Sequence, residues 1–324
     1  MFECRVERDS VYDGGPRLTS FVISYPRIVL AEAVTHRTVK DCWGDGFASC
    51  ERNTTEDISK NSASSRAIPY EKMAKKIKDD PYVPDWTLNR KGMQGLSTDD
   101  QELISKANRI WLNMRDYCLQ GTSELHALGV HKQDVNRPLE TWAGVTQVVT
   151  SSRWDNYFAL RCHEAAHPAL RKIARMMYLA RKASTPRRLE AGQWHLPFVP
   201  LDEQMTLRWA PSPQEMARKQ YPELPDLIKH SAARCAWVSY ENHDKDGSPE
   251  AMLKTWDRLF AEVPVHASPV EHQLSPMLSE WEKAFPWLRS NISGWLQARK
   301  LLKHEEITEY SPTAQEIASW GEFP

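Results

Sequence analysis

The sequence predicts an α/β chain (α+β), with a core over residues 1–200 and a further helical part over residues 201–324. Two observations carry this. Residues 18–30 (LTSFVISYPRIVL) and the first part of 139–161 (LETWAGVTQVVTSSRWDNYFALR) are rich in β-branched and aromatic residues, as strands are. Around them, several stretches repeat apolar residues at helical spacing.

Taken in order, residues 18–30 read as a strand interrupted at Pro26, leading into a buried segment that runs to about residue 37. Residues 38–57 are polar, hold two glycines and read as an inserted loop. Residues 68–80 (IPYEKMAKKIKDD) predict a basic helix ending before Pro81, whose ring disfavours helical geometry in the residue before it. From Ser97 to Gly129 the pattern is helical. Thr98-Asp99-Asp100-Gln101 offers an N-cap, and Ile104, Ala107, Ile110, Trp111 and Met114 form an apolar stripe. Residues 139–161 turn from strand to an aromatic helix ending at Arg161. Residues 168–183 form an amphipathic helix on Leu170, Ile173, Ala174, Met177, Tyr178 and Ala180, and a further helix spans 249–262.

The 324 residues are 41% hydrophobic and 26% charged, a globular composition. A formal net charge of −1 leaves no bulk field favouring nucleic acid or an anionic membrane, so an anionic ligand must be held by local arginines. No apolar run approaches the roughly 20 residues of a spanning helix, and the first ten residues carry charges where a signal peptide is apolar. The six cysteines are scattered without a CxxC pair, which predicts reduced thiols and a cytoplasmic location. The 13 tryptophans and 21 prolines concentrate in the second half, which reads as compact helices joined by rigid loops.

Residues 59–66, SKNSASSR, gather hydroxyl and amide donors around one guanidinium, a composition suited to cradling a phosphate. Taken alone, such a run is more often a capping and turn sequence. The wider pattern is more specific. Thr35-His36-Arg37 followed by Ser59-x-Asn61-x-x-Ser64-x-Arg66 resembles Arg-His-Arg-x-x-Ser-x-Asn-Glu-x-Ser-x-Arg-Tyr, the signature of the flavin-dependent thymidylate synthases (thymidylate synthase complementing proteins). Asn136-Arg137-Pro138-Leu139 and Asn156-Tyr157-Phe158-Ala159-Leu160-Arg161 are similar to later segments of that family, so the resemblance runs in order over residues 17–180. The serine-rich form resembles bacteriophage members. Thr35, Ser62 and Ala67 stand where the family has Arg, Glu and Tyr, and residues 38–57 intervene where it has two residues. Ala232-Ala233-Arg234-Cys235 and Ser268-Pro269-Val270-Glu271-His272 resemble segments that precede the Arg-His-Arg motif in the family, which implies a permuted order.

The resemblance implies a mixed sheet flanked by helices, a flavin- and nucleotide-binding core, and a homotetramer. It implies reductive methylation of dUMP to dTMP with methylenetetrahydrofolate, FAD and NADPH. His36, Arg37, Ser59, Asn61, Asn156 and Arg161 would contact FAD. Ser64, Ser65, Arg66 and Arg137 would hold the nucleotide phosphate, and Glu32 would lie by the sugar or base. Arg161 would sit against pyrimidine and flavin, and His272 would be an active-site histidine. Hydroxymethylation of dUMP or dCMP, or methylation of dCMP, is the alternative within the family. Glu32 bears on that choice, since a carboxylate accepts from a cytosine amino group.

Other classes stand beside this. His163-Glu164-Ala165-Ala166-His167 matches the HExxH zinc-hydrolase motif letter for letter. Pro168 argues against one helix through both histidines and fits better as the first turn of the next helix. Cys42 and Cys50 with His36 form a weaker metal candidate, lacking a fourth ligand. Loss of the family's Glu at Ser62 also admits an inactive nucleotide-binding relative.

Overall fold

The computed structural model describes residues 1–34, 58–92, 95–218, 220–240, 247–260, 265–288, 290–305 and 311–320. Its strands are β1 (Glu3–Val11), β2 (Leu18–Pro26), β3 (Ile58–Ser62), β4 (Thr87–Leu88), β5 (Leu96–Ser97), β6 (Gly144–Ser151), β7 (Arg187–Arg188), β8 (Leu274–Pro276) and β9 (Trp295–Gln297). Five of them form a mixed sheet in the order β3-β6-β2-β1-β7, antiparallel except where β7 runs parallel to β1. β4–β5 and β8–β9 are small separate ladders. The β-branched runs thus become β2 and β6, adjacent in the middle of the sheet, with Phe21 opposite Val149 and Val22 opposite Val148.

The helices are α1 (Leu30–Val34), α2 (Tyr70–Asp79), α3 (Gln101–Ala127), α4 (Lys132–Val135), α5 (Asp155–Arg161), α6 (Pro168–Ala183), α7 (Leu201–Thr206), α8 (Pro213–Ala217), α9 (Asp226–Tyr240), α10 (Pro249–Phe260), α11 (Ser279–Ala284) and α12 (Ala314–Ser319). The chain is therefore a mixed α/β fold with helices on both faces of its sheet. No helix among the described residues is long and apolar enough to cross a membrane.

Alternation along the strands gives the two faces different chemistry. One face presents Phe21, Ile23, Tyr25, Ile58, Val145 and Val149 to Trp154, Tyr157 and Phe158 around α5, and to Ile173, Ala174 and Met177 of α6. Burying each such side chain is worth about 1.5–3 kcal/mol, which anchors α6 to the sheet. The other face meets α9, where Val148 packs with Cys235 and Val238. A further core unites Trp194, Leu196, Ile228, Ala232, Trp256, Val270 and Leu296 in the second half of the chain.

Helix α3 begins as its sequence predicts, with the Asp100 carboxylate accepting from the amides of Glu102 and Leu103. Its apolar stripe divides, however. Trp111 packs inward with Cys118 and Leu119 against Met73, Ile77, Leu139 and Trp142, while Ile110 and Met114 remain about half exposed, at 53% and 51%. The helix meets its neighbours along the 111–118–119 line, and residues 110 and 114 fall to one side of it. Tyr178 of α6, placed in that helix's stripe, is likewise 47% exposed.

Candidate functional site

Strand β3 is an edge strand, and the loop after it carries the serine run. Internal hydrogen bonds hold that loop by its backbone, mostly through its carbonyl oxygens. The Thr146 carbonyl takes the Ala63 amide at 2.9 Å, the Arg27 guanidinium donates to the Ala63 carbonyl at 2.8 Å, and the Ala67 amide to that of Ser64 at 3.0 Å. The Asn136 amide group donates to the carbonyls of Ser65 at 2.8 Å and Ile68 at 3.0 Å, and Lys132 to that of Ala67 at 3.0 Å. With its acceptors turned inward, the loop keeps its hydroxyls and guanidinium for other work. The Ser65 hydroxyl is buried with no hydrogen-bond partner among the described residues. Arg66 is exposed and makes no ion pair among the described residues. A buried hydroxyl beside a free guanidinium suits an anion.

Asn136 is fully buried, and by holding the loop it brings the next residue, Arg137, to the same region. Arg137 is exposed and lies 3.1 Å from Glu140, which also pairs with Arg27 at 3.1 Å. Ser64, Ser65, Arg66 and Arg137 therefore belong to one assembly held by Asn136, Arg27 and Lys132.

A second cationic group lies on the α6-facing side of β3. Arg161, the last residue of α5, donates to the Glu32 carbonyl at 3.2 Å, and its Nε is buried without a partner among the described residues. Lys60 of β3 donates to the Ala33 carbonyl at 2.9 Å. Burial, with Arg161 nearby, pulls the Lys60 ammonium down to about 8. Neither cation has a carboxylate within ion-pair distance among the described residues. Lys60 was not among the residues nominated from the sequence. Its signal was its place in β3, where period-two alternation sets it on the same face as Ser62. Ser62, standing where the family has Glu, accepts from Gln147 at 2.5 Å, and Gln147 accepts from the Tyr25 hydroxyl at 3.1 Å.

Ser59 and Asn61 face the other way, towards α9. Asn61 donates to the Cys235 carbonyl at 2.7 Å. The Ser59 hydroxyl accepts from Asn291 at 3.1 Å and Gln297 at 3.3 Å. Beside them runs a buried chain of hydroxyls and imidazoles. The Ser10 hydroxyl bonds His195 Nδ1 at 2.8 Å, and His195 Nε2 bonds the Ser20 hydroxyl at 2.7 Å. Ser20 meets Thr150 at 2.5 Å, and Thr150 meets His272 Nδ1 at 2.8 Å. Full burial lowers His195 well below the usual imidazole range and His272 to about 3, so both rings are neutral. His272 Nε2 is buried with no hydrogen-bond partner among the described residues. Next to it Glu271 is pushed up by burial, partly offset by Arg299.

Asn156 is exposed on α5. His36 and Arg37, and the 38–57 insertion, lie outside the described residues. The two late segments lie around this polar layer: Cys235 packs with Val148 of β6 and its carbonyl accepts from Asn61 of β3, and His272 bonds Thr150 of β6.

The HExxH histidines do not share a helix. Pro168 opens α6, and the His167 ring caps it by accepting from the Ala169 amide at 3.2 Å. His163 accepts from the Ala165 amide at 3.0 Å, and the Glu164 carboxylate pairs with Arg171 and Arg175.

No family model and no curated protein matches the chain. Two solved structures of the UMP/dUMP methylase PolB from Streptomyces cacaoi are similar. The one bound with 5-Br dUMP is 18% identical over 51% of this chain and 65% of that one, with a TM-score of 0.36. The one bound with 5-Br UMP is 14% identical over 56% of this chain and 93% of that one, with a TM-score of 0.40.

Proposed function

We propose that the chain transfers a one-carbon unit to C5 of a deoxypyrimidine monophosphate, with dUMP to dTMP as the leading reaction. One observation carries this reading. The motif residues Glu32, Ser64, Ser65, Arg66, Arg137 and Arg161, from four separate segments, gather around β3 and its loop, with two groups of cations lacking a full complement of carboxylates.

In this reading the dianionic phosphate takes Ser64, the Ser65 hydroxyl and the guanidinium groups of Arg66 and Arg137. Charge-assisted, bidentate hydrogen bonds are the strong ones available for such a group. The pyrimidine lies by Arg161 and Lys60. For C5 to attack the one-carbon unit, electron density must first be raised on the ring, and fixed cations in a partly dry site stabilise that negative charge without reorganising. With its pKa near 8, Lys60 holds a proton at neutral pH and gives it up readily.

Reduced FAD, when bound, would carry the carbon and supply hydride, with NADPH and methylenetetrahydrofolate as co-substrates. Of the residues assigned to it, Ser59 and Asn61 do not fit a flavin contact in this conformation, because Asn291, Gln297 and Cys235 hold their polar atoms. Asn156 and Arg161 are the described residues that fit. A homotetramer would add contacts from neighbouring copies.

The test is to incubate the purified chain with dUMP and with dCMP separately, adding methylenetetrahydrofolate and NADPH, with and without FAD, followed by mass analysis. A methyl gain on dUMP that needs FAD is expected. A hydroxymethyl gain, or reaction on dCMP, selects the alternative reaction of the same class. No change in either nucleotide, with no retention of dUMP, overturns the proposal.

A further inference from the structure

We propose that the cavity between α9 and the β1–β2–β6 part of the sheet binds a planar heteroaromatic anion of about nucleoside-monophosphate size. The cavity has a volume of about 490 Å³ and lies on the sheet face opposite α6. Small-molecule sites are typically of this order.

Its lining is ordered by chemistry. Val22, Ser24 and Thr146 form the sheet side, with the hydroxyls of Ser24 and Thr146 3.0 Å apart. Phe198 and Trp237 contribute rings. The Trp237 indole N–H already donates to Thr255 at 3.2 Å, so the ring surface is what it offers the cavity. Arg5 and Glu3 stand on β1, where Arg5 is paired with Glu7 at 2.9 Å. Burial holds the Cys4 thiol near 11, so it brings no negative charge.

Arg234 is the group that points to an anion. It is partly buried, its guanidinium centre lies 5.8 Å from the Trp237 ring, and it has no carboxylate partner among the described residues. Arg17 is neutralised by Asp9, Arg27 by Glu140 and Arg299 by Glu271 and Glu305. Arg8, Arg161 and Arg181 have no ion pair among the described residues but donate to carbonyl or hydroxyl oxygens, whereas Arg234, like Arg187, has neither among the described residues. A partly desolvated cation without a counter-charge is costly unless a ligand supplies one.

Phe198 adds an independent sign. Its φ is +65°, an uncommon backbone conformation for a bulky side chain. Such strain persists where surrounding structure imposes it, and it collects at ligand sites. Here it sets an aromatic ring at the cavity. Rings beside a lone guanidinium, with a hydroxyl pair on the sheet side, suit a heteroaromatic ring that carries an anionic group.

The site uses none of Ser64, Ser65, Arg66, Arg137 or Arg161, so it stands whether or not the chain modifies dUMP. The test is calorimetric titration of the full chain with AMP and with dTMP. Adenosine, which lacks the anion, and ribose 5-phosphate, which lacks the ring, are the controls. At least one nucleotide is expected to bind about tenfold more tightly than both controls. Arg234→Gln should weaken it about tenfold with unchanged circular dichroism, and a Ser24→Ala/Thr146→Val variant should weaken it about threefold. An Arg66→Gln/Arg137→Gln variant should retain it. Failure of both nucleotides to bind at about 1 mM overturns the proposal. So does binding that survives Arg234→Gln but disappears in the Arg66/Arg137 variant. If Arg234→Gln does not fold, the Ser24/Thr146 variant decides, and unchanged binding there overturns the proposal.

Discussion

The two faces of the five-stranded sheet are made from alternate residues of the same strands, yet they do different work. Towards α6 the sheet is hydrocarbon, with Phe21, Ile23 and Val149 packed on Ile173 and Met177. Towards α9 and His272 it is a row of hydroxyls, Ser20, Thr150 and Ser59, set opposite one another across β2, β6 and β3. The polar face is richer in residues usually read as chemical, yet it is largely satisfied from within. Lys60, Arg161 and Arg66, which have no ion pair among the described residues, belong to the α6 side of β3 and to the loop beyond it, and Arg234 is the exception on the α9 side. A dense polar layer can serve the fold, while reactivity sits where partners are missing.

The contrast can be broken first on the apolar face. Phe21→Ala should cost about 3–5 kcal/mol, read as a lower urea midpoint at unchanged slope, since it empties a fully buried ring site. A loss below 1 kcal/mol would mean that this face is not the stabilising one.

Acid should next expose the polar face. The folded-state pKa of His272 is lowered to about 3 against the ordinary 6.5, so the unfolded chain binds more protons between those values. Stability is then fully present above about 6.5 and is lost, by several kcal/mol, as pH falls towards 3. His272→Gln should flatten the melting-temperature profile in that window; an identical slope would show that the buried imidazole is not its cause.

Arg161→Gln tests the free cations, and turnover should fall about 100- to 1000-fold with the melting temperature nearly unchanged. If activity stays within threefold of the parent, Arg161 is not part of the site.

Thr150→Val should be smaller, about 1–3 kcal/mol, because it strips partners from Ser20 and His272 Nδ1 together. Denaturant titration against Val149→Ala compares the faces at neighbouring residues.

The smallest effect is expected from Lys60. Its folded-state pKa is lowered from 10.5 to about 8, so the unfolded chain binds more protons in that window and stability rises with pH through it. The rise should be on the order of 1–2 kcal/mol after allowing for partial exposure, and absent in Lys60→Met. A rise of equal size in the variant would assign it elsewhere.

Much of the local structure was legible. β2 and β6 announce themselves by β-branched runs, α2 by its stop before Pro81, and α6 by Pro168 at its first position. The α3 stripe was only half right, because spacing shows that a helix has an apolar side but not which neighbours will cover it. Lys60 escaped notice for a related reason. A lysine between a serine and an asparagine reads as surface until β6, α1 and α5 are known to surround it.

The sequence by itself determined β2, β6, α2, α3, α5, α6 and α10, because periodicity and caps are written within one or two turns of chain, whereas β1, β3 and α9 carry no such local signal. It also placed the serine loop and its arginines in a recognisable order. Only the tertiary structure decided which of those polar groups are spent. Ser59 and Asn61 are satisfied by Asn291, Gln297 and Cys235, residues more than 170 positions away, whereas the hydroxyl of nearby Ser65 is left without a partner. A hydrogen bond needs both groups within about 3 Å, and when the partner lies far along the chain no local pattern can reveal it.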